Sequence, residues 1–438
     1  MIEQLKILMT YLKSKYFIRF HSREVLENWQ DKKMKNFLKN IVPLSPFYKK
    51  YYEGFSYDNW KELPLVDKNR MMEYFDTFNT VGIKKDEAFQ IAFQAEKTRD
   101  FSPQIHDITI GLSSGTSGNR GIFLASKNER IKWAGTVLAK CLPYSILKEH
   151  KIAFFLRANS NLYDTVDKGK IKFHFFDLLD LMDDHIKNLN TYKPSILVAP
   201  PSMLSMLAKK IKTGMLKIDP QKVISVAEVL DPLDEKYLSD VFNQKIHQVY
   251  QCTEGFLATT CEYGTLHLNE DLLVIQKEYL DKNLGKFIPI ISDFSRTSQP
   301  IIRYRLNDIL TEKKMPCPCG SHFTALEQIE GRCDDLFYFR KKESDTLIPV
   351  FPDFIRRVIS LSSDEIKQYK VNQVRLDLIE VFLEVSDDRK KNMKKEIEKN
   401  LERLCNQFNC LIPKIQYIHK LEEQNGKKLR RVERKFEI

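Results

Sequence analysis

From about residue 105 to residue 310, short apolar runs alternate with amphipathic stretches of helical period. No other feature constrains the fold as strongly. The apolar runs at 122–124, 152–156, 196–198, 223–226 and 247–250 read as strands. The stretches at 128–142, 202–212 and 234–242 read as helices, and Ser126 with Glu129 forms a capping-box pattern ahead of the first. Strands that alternate with helices need crossover connections. The pattern therefore predicts an α/β domain with a largely parallel sheet. Ahead of it, residues 1 to about 75 read as helices broken by turns, with Val25, Leu26, Trp29, Met34, Phe37, Leu38 and Ile41 at helical spacing. Near residue 333 the texture changes. A strand pattern at 374–385, a charged helix at 387–408 and a short strand at 414–419 predict a small α+β domain. The fold class expected is α/β, with a large multi-sheet domain over 1–332 and a small α+β domain over 333–438. A chain of 438 residues with 42% hydrophobic content can fill two such cores.

Lysine plus arginine exceeds aspartate plus glutamate by 70 − 59 = 11, but acids are interleaved throughout. A zinc-containing nucleic-acid binder is the reading from another functional class. It would show a basic stripe with aromatics between the charges, and the interleaved acids speak against it. No window of about 18 apolar residues occurs, so no helix is expected to span a bilayer. The N-terminal "MIEQLKILMTYLKSKYFIRF" is amphipathic and basic and lacks the features of a signal peptide. It reads as the first helix of a soluble, cytoplasmic protein, with shallow membrane contact as the alternative. With no secretion signal, the eight cysteines point to free thiols or a metal site rather than disulfides. Cys141, Cys405 and Cys410 fall on helical patterns and read as core.

The stretch "GLSSGTSGNRG" at 111–121 has neither Walker-A nor dinucleotide-loop spacing. Its glycines permit close backbone approach, and Ser113, Ser114, Thr116 and Ser117 offer hydroxyls to phosphate oxygens. Taken alone it is either a phosphate cradle or an ordinary polar turn. Downstream, "VYQCTEGF" places Thr253 and Glu254 at a strand end, where the carboxylate suits Mg²⁺. A helix-capping threonine beside an exposed glutamate is the plainer alternative. "IIRYRLNDIL" sets Asp308 behind an apolar and aromatic run, and a carboxylate there can accept both ribose hydroxyls. "EGRCDDLF" carries Arg332 and Asp334 at the expected domain boundary, and "NGKKLRR" carries Lys427 in a basic tail.

Taken in order, S-S-G-T-S-G, Y-x-x-T-E, R-Y-R-x-x-D, G-R-x-D-D and G-K-x-x-R resemble the adenylate-forming superfamily of acyl-CoA synthetases, peptide-synthetase adenylation domains and luciferases. The chain looks most like the compact phenylacetate–CoA ligase branch and its adenylate-forming relatives. The segment at 63–80, "LPLVDKNRMMEYFDTFNT", is similar to that branch as well. The resemblance covers nearly the whole chain. It implies that Ser113, Ser114, Gly115, Thr116, Ser117 and Gly118 wrap the β- and γ-phosphates of ATP. Thr253 would meet the α-phosphate, Glu254 would hold Mg²⁺, and Tyr250 would belong to the nucleotide site. Ala227 and Glu228 would line the adenine pocket, and Asp308 and Arg332 would bind the ribose. Asp334 would be the hinge of a mobile C-terminal lid, and Lys427 the catalytic lysine. The implied reaction is ATP-dependent activation of a carboxylic acid as acyl-AMP, with pyrophosphate released. Transfer to a thiol follows, CoA first, with a carrier protein or an amine as alternative acceptors. The resemblance allows a homodimer. A degenerate member that only binds nucleotide is disfavoured by Glu254, Asp308, Arg332 and Lys427. Three departures stand out. Asn119 and Arg120 replace a lysine–proline pair, with Arg120 expected to supply the charge. Leu306–Asn307 replaces threonine–glycine, and Gln251–Cys252 replaces a glycine-containing pair.

A second constellation is "CEYGTLH" with "PCPCGSH", which offers Cys261, His267, Cys317 and Cys319. Three thiolates and an imidazole satisfy tetrahedral Zn²⁺ in a closed, structural site. His322 and Cys252 are alternative ligands, and free buried cysteines are the plainer reading. Some relatives in the branch carry a similar pattern, which implies zinc. Pro201, Met203, Phe256 and Leu257 are expected to line an apolar pocket for the acid, with core packing as the equal alternative.

Overall fold

The computed structural model describes residues 2–112, 120–156, 165–167, 169–178, 180–332, 335–363, 366, 368–419 and 430–438. The chain forms two compact units. One comprises residues 1–306 and 312–328, the other 307–311 and 329–438. The division falls at Ile329 rather than 333, and Asn307–Thr311 goes with the C-terminal unit.

In the first unit the alternation at 150–252 becomes five parallel strands in the order Ile171–Asp177, His150–Leu156, Ile196–Ala199, Lys222–Ser225, Ile246–Cys252. Side-chain alternation sorts their residues onto two faces. Ile152, Ile196, Val198 and Ile224 pack with Ile7 and Tyr11 of helix Ile2–Leu12 and with Ile131, Ala134 and Leu138 of helix Lys127–Cys141. Ala153, Phe155, Leu197, Ala199 and Val223 pack with Leu204 and Leu207 of helix Pro201–Lys212 and Leu238 and Phe242 of helix Pro232–Phe242. Both faces of the sheet are covered, as near-continuous apolar strands require. Helix Lys127–Cys141 starts on the predicted capping box, with Ser126 and Glu129 each accepting from the other's backbone N–H.

Two expectations need correction. Strand Ile122–Ala125 is not part of the parallel sheet. It pairs antiparallel with Ile108–Leu112, ending at Leu112↔Ile122, in a separate small sheet. The stretch joining the two is too short for a crossover, which takes a dozen or more residues. In the C-terminal unit, the pattern at 374–385 is not one strand. Gln368–Arg375 and Leu378–Glu384 form a hairpin about a turn at Leu376 and Asp377. Helix Asp387–Gln407 then leads to Lys414–Ile418, which lies parallel to Leu378–Glu384. Ile309, Leu336 and Phe351 form a local core in this unit.

After residue 246 the first unit turns antiparallel. Ile246–Cys252 and Gly255–Thr260 form a hairpin, with Leu266–Leu268 beside the latter. A second run joins Leu273–Asp281, Lys286–Asp293 and Ile301–Arg305. Helix Arg23–Ile41, capped by Ser22, buries Leu26, Met34 and Leu38. It is anchored by Arg23, which ion-pairs at 2.7 Å with the buried Glu270.

Candidate functional site

The hairpin between Ile246–Cys252 and Gly255–Thr260 closes on Thr253 and Glu254, with a register shift at Tyr250/Gln251. Thr253 donates its hydroxyl to Glu254 Oε2 at 2.7 Å. Tyr304, on strand Ile301–Arg305, donates its own to Glu254 Oε1 at 3.0 Å. Burial, with the Glu254 charge beside it, pushes the Tyr304 phenol well above its ordinary pKa, so it stays a donor. Each carboxylate oxygen is thus aimed by one donor and keeps a lone pair for a hard cation.

Arg296 fixes this turn from behind. It donates to the Thr253 carbonyl at 3.0 Å and to the Leu124 carbonyl at 3.1 Å. Gln299 grips the same edge of strand Ile122–Ala125. It accepts from the Leu124 N–H at 3.0 Å and donates to the Ile122 carbonyl at 3.0 Å. Glu129, at the foot of its helix, accepts from Thr297 and Ser298 N–H at 2.6 and 3.0 Å. Burial opposes its charge, but Arg296 and the Ser126 and Ser298 donors outweigh it and hold the carboxyl below its ordinary range. Sequence reasoning missed Arg296, Gln299 and Glu129 as a brace, because their partners are remote in the chain. The 63–80 segment buttresses strand Ile301–Arg305 and the turn ahead of it. The Val66 N–H donates to the Arg303 carbonyl at 3.1 Å, and the Thr80 N–H to the Ser298 carbonyl at 3.0 Å. Gln251, one of the departures, accepts from the Trp133 indole at 3.2 Å.

Ala227 holds a left-handed backbone, φ +68°, which costs a non-glycine residue about 1 kcal/mol or more. Glu228, next to it, accepts from Ser202 N–H at 3.2 Å and from Ser202 Oγ at 3.1 Å. Helix Pro201–Lys212 begins after Pro200, which has no side-chain acceptor to cap it. Glu228 supplies the missing cap from another segment. Its carboxylate is therefore engaged with the helix. Met203, Phe256 and Leu257 are all buried, and Met203 belongs to the main apolar cluster.

In the C-terminal unit, Asp308 opens strand Asp308–Glu312 and lies 3.9 Å from Arg332 Nε. Both side chains are partly exposed. The Arg332 N–H points toward Asp335, which ion-pairs with Arg430. Burial raises the Asp335 carboxyl while Arg430 pulls against that rise. Asp335 and Arg430 received no role from the sequence, although Asp335 lies within its "GRCDD" motif. Ser113, Ser114, Gly115, Thr116, Ser117, Gly118, Asp334 and Lys427 lie outside the described residues.

The Arg120 guanidinium forms a two-pronged ion pair with Glu96 at 2.7 and 2.8 Å, a partner that the sequence did not point to.

The four zinc-pattern residues converge. Their ligand atoms lie within 4.8 Å of one another. Cys261 Sγ and Cys317 Sγ are 3.7 Å apart, and Cys319 Sγ is 3.3 Å from His267 Nε2. Tetrahedral zinc with Zn–S near 2.3 Å sets sulfurs about 3.8 Å apart, so the donor set fits this ion. His267 Nδ1 lies 3.3 Å from the Phe323 carbonyl, which orients Nε2 toward the cluster. Burial works against ionising Cys317, but hydrogen bonds from Thr265, Cys319 and His267 bring its thiol down to about 6. His322 and Cys252 are not in the group.

No protein-family model and no curated protein sequence matches this chain. Solved structures do. A 2-hydroxyisobutyryl-CoA ligase in the postadenylation state with 2-HIB-AMP is 15% identical, with a TM-score of 0.70 over 96% of this chain and 94% of that one. The amide bond synthetase McbA from Marinactinospora thermotolerans is 10% identical, with a TM-score of 0.54 over 74% of this chain and 67% of that one. The anthranilate CoA ligase AuaEII, bound to anthranoyl-AMP, is 12% identical, with a TM-score of 0.51 over 75% and 67%. The chain has the fold of the adenylate-forming ligases.

Proposed function

We propose that this protein activates a carboxylic acid with ATP, forming an acyl-adenylate and pyrophosphate, and then passes the acyl group to a thiol, most simply that of CoA. The reading is carried by the Glu254 carboxylate, aimed by Thr253 and Tyr304 at a braced turn, in a chain with the ligase fold. The structural neighbours include enzymes bound to acyl-adenylates and to CoA.

In this reading Thr253 and Glu254 carry the centre of the site, and Mg²⁺ held by Glu254 would neutralise charge on the phosphates. Ser113 to Gly118 would cradle the β- and γ-phosphates, beside the strand end that Gln299 and Arg296 hold. Tyr250 and the strained Ala227–Glu228 segment would border the nucleotide, and Asp308 with Arg332 would take the ribose hydroxyls. Lys427 would bring a positive charge to the reacting carboxylate and α-phosphate. Asp334 would be the hinge between an acid- and ATP-binding domain and a lid. The carboxylate oxygen attacks the α-phosphorus and pyrophosphate leaves. No protein bond forms, so positioning and charge carry the rate.

Within the fold we assign the phenylacetate–CoA ligase-like branch. Its supports are the 63–80 segment at the Tyr304 strand and the Cys261–His267–Cys317–Cys319 cluster. That cluster would hold a structural Zn²⁺ tying the turn after Thr260 to the 317–320 turn. Among the described residues no helix is long and apolar enough to cross a membrane. The described cysteines are free thiols, a state kept in a reducing compartment, and on that ground we place the protein in the cytoplasm. The substrate class we favour is an apolar, aryl or alkyl acid, from Pro201, Met203, Phe256 and Leu257. An amine acceptor is the second reading, motivated by the amide bond synthetase among the neighbours.

The test is acid-dependent ATP–pyrophosphate exchange with Mg²⁺, over a panel of aryl and aliphatic acids, with Lys427→Ala as control. Exchange with one acid class, lost in the variant, is the expected result. An absence of ATP binding would overturn the assignment. Adding CoA, then amines, identifies the acceptor.

A further inference from the structure

The first helix, Ile2–Leu12, has two apolar faces. One is buried: Ile7 and Tyr11 sit in the core against helix Lys127–Cys141. The seat is tight. A Cβ added at Gly135 would lie 2.6 Å from Thr10 Cβ and 2.7 Å from the Ile7 carbonyl oxygen. The helix is held in one orientation, and its other face is held outward.

That outward face carries Ile2, Leu5, Met9, Leu12 and Tyr16, at intervals of three and four residues, followed by Phe17. Their exposures are 71, 57, 61, 38, 51 and 77%. A soluble helix normally presents polar groups there, and one that is apolar all round is ordinarily covered all round. Lys6, Lys13 and Arg19 are also exposed. At about 100° per residue, Lys6 and Lys13 form a row along one flank of the stripe. Among residues 2–19 the only acid is Glu3, and it is tied back to Lys127 at 2.6 Å. The outward surface is therefore apolar and cationic, with no carboxylate on it.

We propose that this face docks the protein on an anionic lipid surface. The helix would lie in the plane of the headgroups, with Leu5, Met9, Leu12 and Phe17 inserted among the acyl chains near the boundary. Lys6, Lys13 and Arg19 would pair with lipid phosphates. This is the pattern of an interfacial amphipathic helix. Its basic residues supply the charge complement to an acidic leaflet. A second copy of the chain fits the face poorly, because it would set Lys6 and Lys13 against the same lysines. The inference does not depend on the ligase reading.

The experiment is co-sedimentation of the full chain with vesicles of phosphatidylcholine alone and of phosphatidylcholine with phosphatidylglycerol, at low and high salt. Binding to the anionic vesicles at low salt is expected, on the order of tenfold or more above that to neutral ones. Leu5→Glu with Met9→Glu should abolish it. Lys6→Glu with Lys13→Glu should weaken it by about tenfold or more. All four positions are exposed, so circular dichroism and the unfolding midpoint should match the parent. Failure of the parent to bind anionic vesicles would overturn the proposal. So would binding that survives the paired glutamate substitutions at Leu5 and Met9. A dimer in solution that these substitutions dissociate, without vesicle binding, would assign the face to a second copy instead.

Discussion

The buried Tyr304 hydroxyl donates to Glu254 across 3.0 Å, from a strand fifty residues further along the chain. This contact orients the carboxylate at the centre of the candidate site. A hydrogen bond to a charged group contributes about 1.5–3 kcal/mol. Tyr304→Phe keeps the ring and removes only the donor. It should lower kcat/KM for ATP–Mg²⁺ on the order of ten- to a hundredfold, with the fold intact by circular dichroism. Undiminished activity would remove Tyr304 from the site.

The cysteine–histidine cluster should bring metal with it. Purified protein, never exposed to chelator, should contain about one equivalent of zinc by elemental analysis. Cys317→Ser with Cys319→Ser should lose the metal and lower the unfolding midpoint. Metal-free protein with unchanged stability would leave the cluster as packed thiols.

Glu228 caps a helix to which it does not belong. Glu228→Ala should cost about 1 kcal/mol of stability, the usual effect of losing an N-cap acceptor. Glu228→Gln keeps one acceptor oxygen and should cost less. Urea unfolding distinguishes the two, and equal midpoints for all three proteins would contradict the capping role.

His247 makes stability depend on pH. Its ring nitrogen lies 2.9 Å from Thr260 Oγ1. Burial, followed by Lys222 and Lys245, pushes its pKa from 6.5 down to about 4. The unfolded chain takes up a proton below pH 6.5 while the folded one does not. The contribution is therefore whole above 6.5 and falls as pH drops toward 4, by about 1–3 kcal/mol. Urea midpoints at pH 7.5 and 4.5 should converge more in His247→Gln than in the parent. An equal pH slope in the two proteins would exclude His247 as the source.

Much of this architecture is legible in the chain itself. The apolar runs at 152–156 and 196–198 lie within observed parallel strands, and the run at 223–226 overlaps a third, Lys222–Ser225. Ser126 and Glu129 make the predicted cap. Other elements escaped notice, two of them within the parallel sheet domain. In strand Ile171–Asp177, Lys172 and His174 break up the apolar residues, so no continuous apolar run marks it. Helix Met182–Tyr192 lacks a side-chain cap. Thr253 and Glu254 in the first unit, and Asp308 and Arg332 in the second, stood out as residue types in order along the chain. Arg296 and Gln299 did not, because a guanidinium or an amide has no local signature when its partners are main-chain groups of Leu124, Ile122 and Thr253.

The sequence by itself determined the periodic elements, the caps and the grouping of Cys261, His267, Cys317 and Cys319. These rest on neighbours a few residues apart, or on donor types that suit one ion. The tertiary structure alone decided that Ile122–Ala125 leaves the parallel sheet, that Arg120 pairs with Glu96, and that Glu228 serves the helix after Pro200. It also decided that Asn307–Thr311 joins the C-terminal unit. Periodicity is set by the geometry of a helix or strand and survives in any local window. The partner of a charge is set by which segments the packed core brings within about 3 Å, and that is defined only once the chain has closed on itself.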